Sequence, residues 1–476
     1  MTERQRELYD KVKNASGNLI LGDHQTGDDE AKAIAEALKV NKTVTWLILW
    51  ATQIGHVGAQ AIAEALKVNR TLKELHLHTN QIGDAGAQAI AEALEVNTAL
   101  RRLDLGCNQI GKAGARAIAE ALKANTTLTS LDLWESQIGD AGVQAIFEAL
   151  KENATVTKLG LSDSQIGDAG AHAIAEALKV NKTLSCLKLC ACQIGDAGAH
   201  AIAEALRVNK TVTTLYLHEN QIGDAGARAI AEALRVNTTL TQLYLHMNQI
   251  GDVGAQAIAE ALKLNTMVNE LFLSGNQIGD IGVHAIAEAL KVNTTVTELD
   301  LRYNCIGNVG LQAFDEMCQV NRTLSNFWID GQINPLAFSL LPRLATAEDL
   351  HNVFHLLSSG LALEDQPTSL PALPNEIAEL IMDEAHYWQG VQQSKRSEFD
   401  DEFPAYLILK VTLPQCVNGN SIRIKAIQVL RDWRKRPDNT ANDPIIRQMR
   451  AGWQVQVRTS KSSRDELFES LYVGFV

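Results

Sequence analysis

Along Thr71-Leu72-Lys73-Glu74-Leu75-His76-Leu77-His78-Thr79-Asn80, Leu75 and Leu77 alternate with polar residues. That two-residue period predicts a strand with one buried face. From Ile82-Gly83-Asp84 to Leu94 the period becomes helical, with Ile90, Ala91 and Leu94 on one stripe and Gln88, Glu92 and Glu95 on the other. Asp84 stands where an N-cap is expected, with its charge at the positive end of the helix dipole. Asn97 stands where a left-handed cap would close the helix. The predicted unit is strand, turn, helix and return.

This unit repeats. Gln-Ile-Gly begins at Gln53, Gln81, Gln109, Gln137, Gln165, Gln193, Gln221, Gln249 and Gln277, always 28 residues apart. Cys305-Ile306-Gly307 keeps the register, and Gln25-Thr26-Gly27 and Gln332-Ile333-Asn334 are worn copies at either end. A fixed period of this length predicts a solenoid, in which no unit can bury its apolar face alone. Neighbouring strands sit ~4.8 Å apart, whereas packed helices need ~8–10 Å. The array must therefore bend, with parallel strands on the concave side and helices on the convex side. The pattern L-x-x-L-x-L-x-x-N at this period resembles the leucine-rich repeat in its ribonuclease-inhibitor-like class, over about residues 19–334 and some twelve units. The resemblance implies an α/β horseshoe solenoid. The class includes ribonuclease inhibitor, the repeat arrays of nucleotide-binding immune receptors and the GTPase activator of Ran, so it fixes a scaffold and leaves the partner open.

Proline divides the chain. None occurs in the array, and all nine lie at or after Pro335. The expected domains are an N-terminal cap at 1–18, the array at 19–334, a helical segment and Pro-bearing linker at 335–374, and a small α+β or β-sandwich module at 375–476. In that module Asn375–Trp388 reads as a helix, and residues 406–409, 422–427, 453–457 and 471–475 read as strands. Residues 370–390 resemble the start of an F-box helix.

The net charge of −13 argues against nucleic acid as the main partner. The charged start Met1-Thr2-Glu3-Arg4-Gln5-Arg6 carries no signal-like apolar region, and no apolar run is long enough to span a membrane. The seven cysteines form no disulfide framework. A cytoplasmic monomer without cofactor is expected. The Asn-x-Thr triplets at Asn41, Asn125, Asn181 and Asn237 read as helix exits rather than glycan acceptors.

Comparing the repeats with one another separates framework from free positions. The strand leucines and the helix stripe hardly change. Five residues before each turn the series runs Ile48, His76, Asp104, Asp132, Gly160, Lys188, Tyr216, Tyr244, Phe272, Asp300, and three before it Trp50, His78, Gly106, Trp134, Ser162, Cys190, His218, His246, Ser274, Arg302. Strand parity aims both columns away from the core. The candidate partner-binding residues are Trp46, Trp50, His76, His78, Asp132, Trp134, Glu135, Tyr216, His218, Tyr244, His246 and Phe272. Tyr216, Tyr244 and Phe272 are expected to form a ladder, which by itself would also stabilise the sheet. Asp104, Asp132, Glu135 and Asp163 are expected to form an acidic patch. Cys186, Cys190 and His218 raise the question of a metal, although four tetrahedral ligands are not evident.

No catalytic motif is present, and paired carboxylates on an open surface lack the pocket that catalysis needs. The expected function is a protein-interaction scaffold or sensor that binds a partner protein on the concave face. The alternatives are a GTPase activator of the Ran-activator type, whose acidic C-terminal run has no counterpart in Leu471–Val476, and a ubiquitin-ligase substrate receptor acting through the C-terminal segment.

Overall fold

The computed structural model describes residues 1–22 and 26–332, together with the backbone of strands at 408–412, 423–431 and 453–460. The expected helices in 335–361 and 375–388, the F-box-like stretch at 370–390 and the strand at 471–475 lie outside the described residues. Chain contacts divide the molecule into Met1–Ile333 and Asn334–Val476.

The first unit opens with helix α1 (Glu3–Asn14), started by a capping box between Thr2 and Gln5. Strand β1 (Gly17–Ile20) follows. Helix–strand units then run from α2 (Gly27–Val40) and β2 (Val44–Ile48) to α12 (Asn308–Val320) and β12 (Asn326–Trp328). The twelve strands form one parallel sheet in chain order. The register aligns like with like, Leu19 with Leu47 and Leu47 with Leu75, so the strand leucines stack in a buried column. The helix stripe of Ala, Ile and Leu closes the core from the other side.

Asn97 does not adopt a left-handed cap. Its backbone is extended, at φ −79° and ψ 125°. Its side chain works across the repeat boundary, donating to the Leu66 and Asn69 carbonyls of the unit before and accepting from the Ala99 and Leu100 amides of its own. Asn209 and Asn237 repeat this arrangement. In the first copy Asn41 holds the Val12, Lys13 and Ala15 carbonyls, which docks α1 onto the array. Each such Asn is buried, so the Asn-x-Thr triplets have no side chain to offer a glycan. A second column begins at Asn80, which donates to Leu49 and Leu77 and accepts from the Thr52 and Ile54 amides. In the middle of the array this column changes to Ser136, Ser164 and Cys192. Ser164 and Cys192 still reach the carbonyl 31 residues back.

Asp84 caps a helix, but not its own. It lies inside α4 (Gly83–Val96), and its Oδ1 accepts from the Gly111 and Gly114 amides at 2.7 and 2.8 Å. These are the N-cap and N3 amides of α5 (Lys112–Ala124) in the following unit. Stacking brings that helix start within hydrogen-bond reach of the carboxylate. Asp28 does the same for α3 (His56–Val68), and Asp140 for α7 (Asp168–Leu178). The pattern continues through Asp168, Asp196, Asp224 and Asp252 to Asp280, which caps α12. His56 and Lys112 occupy the donating position in two units and offer no carboxylate. The helices that follow them, α4 and α6 (Gly139–Leu150), start one residue earlier, on Gly83 and Gly139 at φ +60° and +61°. Gly27, which no earlier helix can cap, has φ +54°. Wherever the Asp is present, the same glycine stays near φ −100°. Glycine is required because it accepts both states.

The three C-terminal strands, β13 (Ile408–Thr412), β14 (Arg423–Arg431) and β15 (Trp453–Ser460), form an antiparallel sheet. No described helix is long and apolar enough to cross a membrane.

Candidate functional site

The strands are short because the chain turns away sharply after each. Two residues before each turn Gln the backbone is left-handed, from Ala51 at φ 53° to Tyr303 at φ 56°, and only Gly275 in that run is glycine. Glu135 and Asp163 occupy this column, at φ 48° and 50°. They have therefore left the strand face and stand exposed on the turn. Of the four carboxylates expected to form an acidic patch, only Asp104 and Asp132 remain neighbours on the strand face, as register partners. Asp104 and Asp132 are largely buried, each held by its own partners.

The first group of rings spans β2, β3 (Glu74–His76), β4 (Arg102–Asp104) and β5 (Ser130–Asp132). His78 stacks on Trp50 with centroids 6.2 Å apart and planes 8° from parallel, and it faces Trp134 at 6.0 Å. His76 packs against Trp46 at 5.8 Å. Glycines of the same columns make the room. A Cβ on Gly106 would collide with the Trp134 indole, and one on Gly22 with that of Trp50. Each indole thus folds back over the preceding unit. Asp104 sits among the imidazoles, its Oδ2 3.6 Å from His76 Nδ1 and 3.2 Å from His78 Nδ1, and its Oδ1 accepts the Gly106 amide at 3.1 Å. Burial pushes the Asp104 carboxyl up, but His76, His78 and the Gly106 amide together outweigh it, and the group stays well below the usual carboxylate range. Asp132 shifts the other way. Its burial prevails over Lys188 at 3.7 Å and Arg102 at 3.9 Å, and Asp104 adds to the rise.

The second group spans β8 (Thr214–Tyr216), β9 (Gln242–Tyr244) and β10 (Glu270–Phe272). Tyr216 stacks on Tyr244 at 4.2 Å and Tyr244 on Phe272 at 4.6 Å, with planes within 11° of parallel. Beside them His218 stacks on His246 at 4.0 Å. All five rings are half-buried. Tyr244 donates to Glu270, which also takes the Gln242 amide, and Gln242 takes the Thr214 hydroxyl. Burial pushes both imidazoles down to about 4, and the proximity of His218 adds to the shift at His246. Both are neutral at pH 7. Arg302 closes this end, paired with Asp300 at 2.7 Å and lying over Trp328.

Among the described residues Cys186, Cys190 and His218 do not bring three ligand atoms together. Cys190 Sγ lies 2.7 Å from Ser162 Oγ, and burial raises the thiols of Cys186, Cys190 and Cys192, the last to about 12. His76, His78 and Asp104 do bring three together. Asp104 and the glycine seats were not among the expected site residues. Their signal in the sequence is glycine standing beside tryptophan in a single column.

Comparison with known proteins agrees with this architecture. The model described as "Leucine Rich repeat" matches nine segments at the 28-residue spacing, from 68–91 to 292–314. Matching solved structures include an internalin of Listeria monocytogenes str. 4b F2365, at 20% identity over 67% of this chain and 88% of that one, with a TM-score of 0.41. They also include leiomodin-1 actin-binding site 2, at 30% identity over 26% of this chain and 71% of that one, with a TM-score of 0.24. A search of curated proteins found no match. With nine matched repeats and a sheet of twelve parallel strands alternating with helices, the chain belongs to the leucine-rich repeat proteins.

Proposed function

We propose that the array is a protein-interaction scaffold that holds a partner protein on its strand face, concave by the spacing argument above, with the two ring groups as anchors. One observation carries this reading. Buried positions repeat almost without change, while the two outward columns vary freely and gather rings that remain partly open to solvent. Trp50 is 37% exposed. Aromatic side chains of this kind supply most of the energy at protein interfaces. The net charge of −13 favours a protein over nucleic acid. Thiols left free of disulfides among the described residues suit a reducing compartment such as the cytoplasm, where the chain acts as a monomer.

The test is capture from cytosolic extract by the wild type and by the Tyr216→Ala/Tyr244→Ala/Phe272→Ala variant, with circular dichroism to verify folding. Partners lost from a folded variant are the expected result. Identical partner lists would move the function away from the second ring group. An unfolded variant would mean that the ladder serves the sheet instead, and Trp50→Ala then repeats the test at an exposed ring.

A further inference from the structure

We infer that His76, His78 and Asp104 form a three-ligand site on the strand face for a borderline divalent transition-metal ion of the zinc(II) class. His76 and His78 are two residues apart and point to the same side of the chain. Asp104 is the register partner of His76 on the next strand. One ligand atom from each lies within 4.8 Å of the other two. Two donors on a tetrahedral zinc at ~2.1 Å stand ~3.4 Å apart. The Asp104 Oδ2 separations, 3.6 Å to His76 Nδ1 and 3.2 Å to His78 Nδ1, bracket that value.

The carboxylate draws both imidazoles close without a well-aligned hydrogen bond at His78, whose Nδ1 is buried. The Asp104 oxygens divide their tasks, with Oδ1 fixed by the Gly106 amide and Oδ2 left facing both rings. Behind His76, its Nε2 is also buried without a hydrogen bond and faces Glu74 Oε2 at 3.7 Å. A carboxylate on the far nitrogen of a ligating imidazole orients the ring and raises its basicity. Trp46, Trp50 and Trp134 wall the imidazoles and limit their rotation. Two imidazoles and one carboxylate suit zinc-class ions better than hard magnesium or soft copper(I). Three protein ligands leave one position open at the face, for water or for a donor atom of a bound molecule.

The test does not depend on the partner-binding reading, because the metal alone is the probe. Untagged, chelator-stripped full-length protein under phosphine reductant is titrated with cobalt(II), which is then displaced by zinc(II). Expected are one equivalent of cobalt bound, visible d–d absorption without a thiolate charge-transfer band, and survival of the signal in Cys186→Ser/Cys190→Ser. The signal should vanish in His78→Ala and in Asp104→Asn at unchanged circular dichroism. Glu74→Gln should weaken binding about 10–100-fold. Should Asp104→Asn unfold, the half-buried His78 still decides the matter. Absence of binding, a thiolate band lost with the cysteines, or binding undiminished in folded His78→Ala would overturn the inference.

Discussion

In the first half of the array the helix starts alternate: α3 and α5 are capped by the preceding Asp, while α2, α4 and α6 begin on a left-handed glycine. From α7 to α12 every helix is capped. The strand face differs along the same divide. The irregular half carries His76, His78 and Asp104 among indoles seated on glycines, with one charge buried within hydrogen-bonding range. The uniform half carries rings lying flat on one another, with its histidines neutral. Stacking of Tyr216, Tyr244 and Phe272 needs successive units in the same pose, and uniform capping supplies it. Indoles filling gaps need instead a large residue beside a small one, as Trp134 beside Gly106. A single repeat thus supports two surface chemistries, one electrostatic and one built from contact.

Acid should separate the halves most strongly. With His218 and His246 lowered from 6.5 to about 4, the unfolded chain takes up protons that the fold refuses. Stability is therefore full above pH ~6.5 and falls as pH drops towards ~4. A tenfold difference in proton affinity is worth ~1.4 kcal/mol, so the loss between pH 7 and pH 5 is of the order of 3 kcal/mol for the pair. Glu219 and Asp300 oppose it at His246, and Arg302 reinforces it. Urea unfolding at the two pH values measures the effect, and His218→Phe/His246→Phe should flatten the dependence. An unchanged slope in that variant would remove the contrast between the halves.

The next effect is steric and belongs to the first half. Gly106→Ala drives the Trp134 ring off its seat, at a destabilisation of about 1–3 kcal/mol typical of overpacking. Tryptophan emission should shift to the red as the ring enters water. An unshifted spectrum at unchanged stability would show that the seat is not required.

The smallest change would erase the difference in framework. Lys112→Asp gives Gly139 and Gly142 the carboxylate that their counterparts already have, and should stabilise by about 1 kcal/mol, the usual value of an N-cap. The readouts are the urea midpoint and the backbone conformation of Gly139, which should move from φ +61° towards −100°, the value its capped counterparts hold. A Gly139 that stays left-handed would break the rule linking Asp to the next glycine.

Much of the fold is legible in the sequence because its signals are local. The alternation at Leu75 and Leu77 and the stripe through Ile90 and Leu94 each lie within one element, and the 28-residue spacing places Tyr216, Tyr244 and Phe272 side by side. What escapes depends on contacts between units. Asp84 looks like the cap of its own helix because sequence distance favours that assignment, whereas stacking gives its carboxylate the Gly111 amide of the next unit. The place of Asn97 just after a helix suggests a left-handed conformation, but its side chain reaches a carbonyl 31 residues back and its backbone stays extended. Glu135 follows the outward Trp134 in sequence and looks like part of its patch, yet the left-handed turn at that position carries it off the strand face. Asp104 reads as one member of an acidic patch, because its place beside His76 and His78 depends on neighbours from another strand.

The carboxylate that reaches forward has a consequence for how such a gene grows. From Asp140 to Asp280 every unit gives a cap to its successor and, from Gly167 onward, receives one from its predecessor. Any of these 28-residue cassettes can be copied or excised whole by unequal recombination, and both new junctions still match. Around His56 and Lys112 the same event would join a receiving glycine to a different donor and change how the next helix begins. The second half of the array is thus built to lengthen or shorten freely, whereas the first half, with its buried Asp104, is fixed in order.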